Sequence, residues 1–493
     1  MNIKLTGMIH SRHERTIKHL IELFYEDIIW TDEHFDLCVT LKNKIINKEL
    51  WTSIKIETND TVLTEEKKEK INGSDEQLVQ NQTKQAYRYI TLKAFEKMTG
   101  MTQEWGMLTG IRPMKLYHNR LKLQKTDEEI KQELQTNYLI RERKIDLMKR
   151  ISKEQRRVLP DLYELKNAVS IYIGIPFCPT KCAYCTFPAY AILGKQGSVN
   201  SFLKGLHYEM REIGKVLKAL EIPVTTIYFG GGTPTSITAE EMDALYEEMY
   251  QSFPMDSVRE VTVEAGRPDT ITEDKLRVLK KWNIDRISIN PQSYTDETLR
   301  AIGRHHTVQE TIEKYYLARE FGMTNINMDL IIGLPNETLR TFAHSLRETE
   351  KLKPESITVH TLSFKRASAM TKNKEKYKVA NREEVQKMMT LAENWTKEHD
   401  YSPYYVYRQK NILGNLENVG YSLKGKESLY NILIMEEQQS IIGLGCGAAS
   451  KYVHPVTGKI TRFANAKEPS AYNEKYEHYT HEKIKHIEQL FEK

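Results

Sequence analysis

Six short segments rich in β-branched residues recur in the middle of the chain, and each is followed by a stretch with helical periodicity. Residues 199–220 show that periodicity best, with apolar side chains at i, i+3, i+4 and i+7. Parallel strands need crossover connections, usually helices, so this alternation predicts a parallel sheet with helices outside. The six predicted strands are 171–176, 226–229, 261–264, 286–290, 326–332 and 356–360. Six units suit an open, partial α/β barrel, and such folds bind ligands at the carboxyl ends of their strands.

The alternation divides the 493-residue chain into three predicted regions. Residues 1–165 are expected to form an α+β domain of unassigned role, in which residues 35–42 alternate apolar and polar side chains like a half-buried strand. The polar residues 58–85 of this domain are predicted to be mostly solvated loop. Residues 166–400 form the predicted barrel, and residues 401–493 are expected to complete the substrate site as a C-terminal extension.

Composition narrows the classes of function. The 72 basic and 67 acidic residues give a net charge of only +5, which lends no support to nucleic-acid binding, where basic residues cluster in a patch or stripe. Residues 1–20 contain no apolar run followed by a small-residue cleavage site. The longest uncharged, apolar-leaning stretch, residues 168–180, is too short to span a bilayer. We therefore expect a cytoplasmic protein without a membrane span.

The cysteines indicate metal chemistry rather than disulfides. Of five, Cys178, Cys182 and Cys185 lie within eight residues, directly after the first predicted strand. Thiolates are the usual ligands of iron–sulfur clusters, and three of them leave one iron of a cubane cluster open. A structural zinc site needs four ligands, and no further Cys or His lies close in sequence. The spacing alone leaves a cluster and a site without metal equally open, whereas the position after a strand favours the cluster. Cys446 is expected to be a small packed residue and Cys38 a lone thiol.

The segment IYIGIPFCPTKCAYC, residues 171–185, resembles the cluster loop of radical S-adenosylmethionine enzymes. More narrowly, it is similar to the oxygen-independent coproporphyrinogen III dehydrogenase family, and closest to its HemZ-like branch, over about residues 165–450. The resemblance implies a [4Fe–4S] cluster on Cys178, Cys182 and Cys185. It also implies that S-adenosyl-L-methionine fills the open iron and is cleaved to a 5′-deoxyadenosyl radical. No catalytic side chain is expected beyond the cofactor ligands.

The resemblance also assigns residues near the strand ends to the cofactor. Glycines let a backbone approach a ligand closely, although a plain turn is the alternative for residues 230–234. Arginine offers a fork of donors to a carboxylate, and acids accept from ribose hydroxyls, but each such residue also fits a capping or surface role. Asp329 stands out because an unpaired charge inside an apolar strand is costly. Tyr172 fits a core position equally well. The matching residues are Tyr172, Tyr184, Gly231, Gly232, Thr233, Glu264, Gln292, Arg304 and Asp329.

The implied reaction is oxidative decarboxylation of coproporphyrinogen III to protoporphyrinogen IX in porphyrin and haem biosynthesis. With no second cysteine group in the sequence, electrons are expected from an external donor such as a flavodoxin or ferredoxin. We expect a monomer that binds one or two S-adenosylmethionine molecules. By position only, the candidates for the substrate carboxylates are Lys365, Arg366, Arg408 and Lys410, with solvated surface charge as the alternative. His305 and His306 are expected to be solvated rather than to transfer protons.

Two other functions fit the same motifs. One is a radical enzyme that modifies haem, and the other is a haem chaperone of the HemW type, which is not an enzyme. That chaperone carries a Tyr-Trp pair in a segment that here, at residues 415–421, has no Trp. Two departures from the resembled family leave the substrate and the number of cofactors open. Phe187 stands where an extra cysteine is found, and Gly174 stands where a histidine is usual.

Overall fold

The computed structural model describes the chain except residues 8, 9, 26, 72, 74, 188, 192–197, 365–367, 374–376 and 492–493. Lys365 and Arg366, two of the basic candidates, therefore lie outside the described residues. The described chain forms two compact units, Met1–Lys149 and Arg150–Lys493. The predicted division into three regions, with boundaries at residues 165 and 400, stays a prediction.

The first unit contains a five-stranded sheet with the order β2-β1-β3-β4-β5. One face is apolar, and residues such as Val39 and Ile54 pack there against Tyr87 and Phe95. The alternation predicted for residues 35–42 holds from Leu37 onward, whereas Phe35 is exposed. The strands are β1 (Asn2–Gly7), β2 (Ile29–Trp30), β3 (Leu37–Ile46), β4 (Glu49–Glu57) and β5 (Val62–Lys70). The helices are α1 (Ser11–Ile21), α2 (Glu76–Thr99), α3 (Met114–Lys122) and α4 (Asp127–Tyr138), and α5 (Glu142–Val158) begins in this unit and ends in the second.

The prediction of solvated loop over residues 58–85 is wrong. Strand β5 and the start of α2 lie in this segment, and β5 pairs antiparallel with β4 along its whole length. An edge strand needs a ladder partner on one side only, and its long charged side chains remain in water, so a Lys/Glu-rich sequence is compatible with it. Trp51 of β4 supplies a further contact, since Lys68 Nζ lies 3.6 Å from its ring centroid.

The second unit is built on an eleven-stranded sheet, in the order β14-β15-β13-β12-β11-β10-β9-β6-β16-β17-β18. All six predicted strands are present, as β6, β9, β10, β11, β12 and β13, and they pair in parallel. The α/β, partial-barrel prediction is confirmed. The strands are β6 (Val169–Ile175), β7 (Phe177–Cys178), β8 (Tyr190–Ala191), β9 (Val224–Gly231), β10 (Glu260–Glu264), β11 (Arg286–Ser288), β12 (Ile326–Ile332), β13 (Ser356–Thr361), β14 (Ser402–Tyr407), β15 (Asn418–Ser422), β16 (Ser440–Gly445), β17 (Ala449–Val453) and β18 (Ile460–Ala464).

Helices alternate with the parallel strands of this unit. Predicted helix 199–220 is present as α6, whose buried stripe includes Phe202, Leu206, Met210 and Ile213. No helix among the described residues is long and apolar enough to cross a membrane. The helices are α6 (Val199–Ala219), α7 (Ala239–Ser252), α8 (Glu273–Lys281), α9 (Asp296–Ala301), α10 (Val308–Glu320), α11 (Leu339–Leu352), α12 (Ala369–Lys372), α13 (Arg382–Glu398), α14 (Leu429–Glu436) and α15 (Pro469–Phe491).

The glycine-rich segment near residue 445 contributes strand β16, which pairs in parallel with β6 and extends the sheet beyond it. Gly445 has φ +83°, and a Cβ there would lie 2.4 Å from the Gly174 carbonyl oxygen. Glycine at both positions therefore allows the two strand ends to approach closely. Helix α15 packs on α6, where Lys483 of α15 and Glu209 of α6 form a fully buried ion pair. Glu209 also accepts from Gly445 N of β16 at 2.7 Å.

Candidate cofactor site at the carboxyl end of the sheet

The three-cysteine loop leaves the carboxyl end of β6, as the sequence predicts. Cys178 ends the short strand β7 and is buried, with its Sγ 3.3 Å from Thr233 Oγ1. Thr233 N donates to the Phe177 carbonyl at 2.8 Å, so the cysteine loop and the 230–234 loop are joined by backbone and side chain. Burial raises the pKa of the Cys178 thiol to about 11, and the nearby Cys185 and Cys182 add to the rise.

Two neighbouring loops hold the middle of the cysteine loop. Arg267, just after β10, donates to Thr180 Oγ1 at 3.1 Å and to Cys182 Sγ at 3.7 Å. Thr180 Oγ1 in turn donates to the Gly303 carbonyl at 3.2 Å. Arg267 is not among the residues predicted from the sequence, although it lies just after a strand end, where the predicted site residues also cluster.

All five cysteines lie among the described residues, and none forms a disulfide. Among these residues, no three His, Cys, Asp or Glu side chains are already gathered as a metal site. The loop nevertheless fits a cluster by the chemistry of its donors, because three thiols on one short loop are the ligands that iron–sulfur clusters use. Cys446 is buried, and its Sγ lies 3.3 and 3.2 Å from the Ala466 and Lys467 carbonyl oxygens, which share its one hydrogen, in agreement with a packed residue.

The glycines of the 230–234 loop allow close approach of backbone. Gly231 has φ +109°, and a Cβ on it would lie 2.7 Å from the Ile175 carbonyl oxygen. A Cβ on Gly232 would lie 2.6 Å from the Phe177 carbonyl oxygen and 3.1 Å from Cys178 Sγ. A side chain at either position would therefore clash with the backbone of β6 or of the cysteine loop.

Glu264, the last residue of β10, lies beside an aromatic stack. Tyr228 donates a short hydrogen bond to Glu264 Oε1. The Tyr228 ring stacks on Tyr430 with centroids 4.3 Å apart, and on Tyr172 at 6.2 Å. Burial raises the pKa of Glu264 to about 7, while the hydrogen bond from Tyr228 lowers it and the charge of Asp329 raises it. Tyr172 thus lies in an aromatic layer next to a predicted cofactor residue, which fits both roles considered for it.

Asp329 is not an isolated charge inside its strand. Its carboxylate lies 3.4 Å from His360 Nε2 and accepts from Asn327 Nδ2 at 2.8 Å. Burial would raise the pKa of Asp329, but His360 and the hydrogen bonds lower it overall. Tyr407 Oη lies 3.2 Å from His360 Nδ1, which completes a row of polar side chains on β12, β13 and β14.

Gln292 and Arg304 lie past the end of β11. Gln292 has φ +64°. Its backbone N–H donates to the Asp329 carbonyl, and its carbonyl accepts from Ile331 N. Arg304 is buried and donates to the Asn290 and Gly266 carbonyls at 2.7 and 3.3 Å. Burial alone would lower the pKa of Arg304, but the nearby Tyr184 and Cys182 raise it above its usual value. Tyr184 therefore lies beside Arg304, where it packs on the apolar cluster around Leu299.

Several buried polar atoms at this end of the sheet have no hydrogen-bond partner among the described residues. They are Ser288 Oγ, Asn290 Oδ1, Gln292 Oε1 and Arg304 Nε. An unpaired buried polar group costs about 1–3 kcal/mol, so such a concentration is typical of a surface that binds a polar ligand. These atoms, the close-approach glycines and the thiols fit a site for S-adenosylmethionine beside a cluster.

The structure changes the expectations for Arg408 and for His306. Arg408 is buried and donates to the side chain and backbone carbonyl of Asn415, so it is not a solvated surface charge, while its contact with a substrate carboxylate stays a prediction. Lys410 is exposed. The prediction that both histidines after Arg304 are solvated is wrong for His306, which is buried, and burial together with the Arg304 charge lowers its pKa to about 3.

Comparison with known proteins adds four findings. Residues 172–349 match the model of the Radical SAM superfamily. The chain is 60% identical over its full length to the oxygen-independent coproporphyrinogen-III oxidase-like protein HemZ of Bacillus subtilis, of which it covers 99%. It is 30% identical to the haem chaperone HemW of the same organism, over 57% of this chain and 70% of that one. The structure of coproporphyrinogen III oxidase (HemN) from Escherichia coli superposes with a TM-score of 0.51, covering 66% of this chain and 73% of the other, at 20% identity, a similarity of fold.

Proposed function

Because this chain belongs to the HemZ family of coproporphyrinogen-III oxidase-like proteins in the radical SAM superfamily, which implies a [4Fe–4S] cluster and S-adenosylmethionine, we propose that it decarboxylates coproporphyrinogen III to protoporphyrinogen IX without oxygen. The observation that carries the proposal is the meeting of two features at one end of the sheet. The three-cysteine loop lies there, and so do the unpaired polar groups of Ser288, Asn290 and Gln292.

When bound, the cluster and S-adenosylmethionine would supply a 5′-deoxyadenosyl radical that takes a β-hydrogen from a substrate propionate. The chain's own residues bind and orient. Cys178, Cys182 and Cys185 would hold the cluster, and the backbone at Gly231 would approach the methionine end of the cofactor. The Asp329 carboxylate, fixed by His360, is an acceptor for ribose hydroxyls.

Each propionate would lose one hydrogen atom, one electron and carbon dioxide to become a vinyl group, and two propionates react. We propose that an external flavodoxin or ferredoxin supplies the electron that starts each cofactor cleavage. The electron released from the substrate requires an external acceptor. We further propose a cytoplasmic monomer with one or two S-adenosylmethionine molecules.

Isotope transfer tests this function. Coproporphyrinogen III deuterated at the propionate β-carbons, incubated anaerobically with the reduced holoprotein, should pass deuterium into 5′-deoxyadenosine and yield vinyl product. The C178A variant should give neither product. C446A should give both, because the Cys446 thiol contacts the Ala466 and Lys467 carbonyls and is not a cluster ligand in this proposal. Unlabelled 5′-deoxyadenosine without vinyl product would contradict the proposal.

Haem carriage is the second candidate, and the 30% identity to the chaperone HemW favours it. A carrier would bind haem stably and need no turnover. Tight haem binding by the wild-type protein, together with the absence of label transfer, would therefore move this function to first place.

A further inference from the structure

Arg267 connects the strand end of β10 to the cysteine loop. Its guanidinium donates to Thr180 Oγ1 at 3.1 Å, to the Thr180 carbonyl at 3.4 Å and to Cys182 Sγ at 3.7 Å. The same group pairs with Asp269 at 2.9 and 3.0 Å. Only 4% of the side chain is exposed, so these contacts are made away from bulk water.

The backbone of Arg267 is also held by hydrogen bonds. Thr270 N and Thr270 Oγ1 both donate to the Arg267 carbonyl, at 3.0 and 2.7 Å. Because the single hydroxyl hydrogen of Thr270 is used in this bond, the Thr235 hydroxyl donates to Thr270 Oγ1 across 2.7 Å. Thr235 directly follows the 230–234 loop, so Arg267 is held between that loop and the cysteine loop.

A buried guanidinium beside a ligand sulfur has an electrostatic consequence. Reduction adds negative charge to a cluster and its thiolates, and an N–H donor or a positive charge nearby stabilises the reduced form more than the oxidised form. Hydrogen bonds to the sulfurs are among the factors that set cluster potentials. Asp269 neutralises part of the positive charge, but the N–H directed at Cys182 Sγ remains.

We propose that Arg267 is a positioning residue that raises the reduction potential of the cluster by donating to the Cys182 sulfur and fixing Thr180. The proposal rests on the cluster site proposed above for Cys178, Cys182 and Cys185. It adds a role for a residue outside the three ligands and outside the cofactor residues matched by sequence.

A redox titration of the reconstituted full-length protein, followed by EPR without S-adenosylmethionine, tests this role. In R267M, the ratio of reduced to oxidised cluster at a fixed potential should fall about tenfold, which is about 59 mV for a one-electron couple. R267K keeps the charge but not the planar fork, so its shift should be smaller. T180V, which removes one contact of Arg267 but not the donor to sulfur, should also shift less than R267M.

Arg259 provides the matched control. It precedes the same strand β10, pairs with Asp161 and is 43% exposed, so R259M should leave the potential unchanged. An R267M midpoint equal to wild type at full iron content would overturn the proposal, as would an equal shift in R259M. If R267M holds no iron, R267Q takes its place, and loss of iron from both would assign Arg267 a purely structural role. A wild-type protein without a cluster would refute the proposed cluster site itself, so the two failures are distinguishable.

Discussion

The two ends of the same parallel sheet differ in how their polar side chains are satisfied. At the amino end, Glu260 of β10 accepts from Ser428 Oγ and from the first two backbone N–H groups of α14, at 3.0–3.2 Å. Arg286 of β11 donates to four groups there, among them Ser356 Oγ at 2.6 Å and the Lys426 carbonyl at 2.9 Å. At the carboxyl end, Ser288 of the same three-residue strand has a buried hydroxyl without a partner among the described residues.

This contrast suggests that polar groups at the amino end stabilise the fold and that those at the carboxyl end bind a ligand. The charged groups Glu260 and Arg286 are paired within the fold, whereas Ser288, Asn290 and Gln292 keep unpaired buried atoms at the end where a ligand can satisfy them. Helix α14 closes the amino end, while its Tyr430 reaches the aromatic layer beside Glu264. We therefore expect substitutions at the amino end to lower stability and substitutions at the carboxyl end to weaken cofactor binding.

The largest effect is expected at the cysteine loop. C178A should abolish the binding of about four irons per chain on anaerobic reconstitution, because a cubane cluster then lacks one of three ligands. C446A should bind the same iron as wild type. Iron analysis of both purified variants provides the measurement, and loss of the cluster in C446A would contradict the three-ligand assignment.

The next largest effect is a difference in stability between a variant at the amino end of the sheet and a variant at its carboxyl end. R286M should destabilise the iron-free protein by about 3 kcal/mol, because it removes four hydrogen bonds, among them that to the buried Asn327 Oδ1, and the positive charge near the buried Glu260. Q292A should change stability by less than about 1 kcal/mol, because its side-chain oxygen makes no hydrogen bond among the described residues. Urea unfolding followed by circular dichroism provides the measurement. Equal losses in the two variants would remove the distinction between the ends.

A smaller effect is expected from the titration of Glu264. Because its pKa is raised from 4.5 to about 7, its contribution to stability is fully present below pH 4.5 and is lost as the pH rises through about 7. The loss should be on the order of 2 kcal/mol, since the carboxyl is partly exposed. E264Q should flatten this part of the pH–stability profile of the iron-free protein. The buried Glu337, with a similarly raised pKa, would still contribute its own slope, so E337Q is the matched comparison. A profile for E264Q as steep as that of wild type would refute the assigned pKa.

The sequence predicted the strands and strand ends well because their signals are local. The β-branched runs placed all six parallel strands, and the spacing of the cysteines placed their loop. Segment β5 was mistaken for loop because its Lys/Glu sequence resembles a solvated stretch, while the ladder with β4 that stabilises it is formed with another segment.

The remaining features of the site depend on contacts between residues far apart in sequence. Tyr430 stacks on Tyr228 from a helix about two hundred residues away, and no periodicity reports that contact. The contact between Arg267 and Cys182 could not be predicted from the sequence, because the sheet determines which two loops lie next to each other. The burial of His306 likewise depends on packing around Arg304, which its polar sequence neighbours do not reveal.

The most direct test of a cofactor site at the carboxyl end is the EPR spectrum of the reduced, reconstituted protein before and after addition of S-adenosylmethionine. We expect a [4Fe–4S] signal that shifts on addition, because the cofactor would bind the iron that the three cysteines leave open. D329A should keep the signal but need more S-adenosylmethionine to shift it, whereas R259M, altered at the other end of the sheet, should respond like wild type. A wild-type cluster signal that S-adenosylmethionine leaves unchanged would contradict the placement of the site.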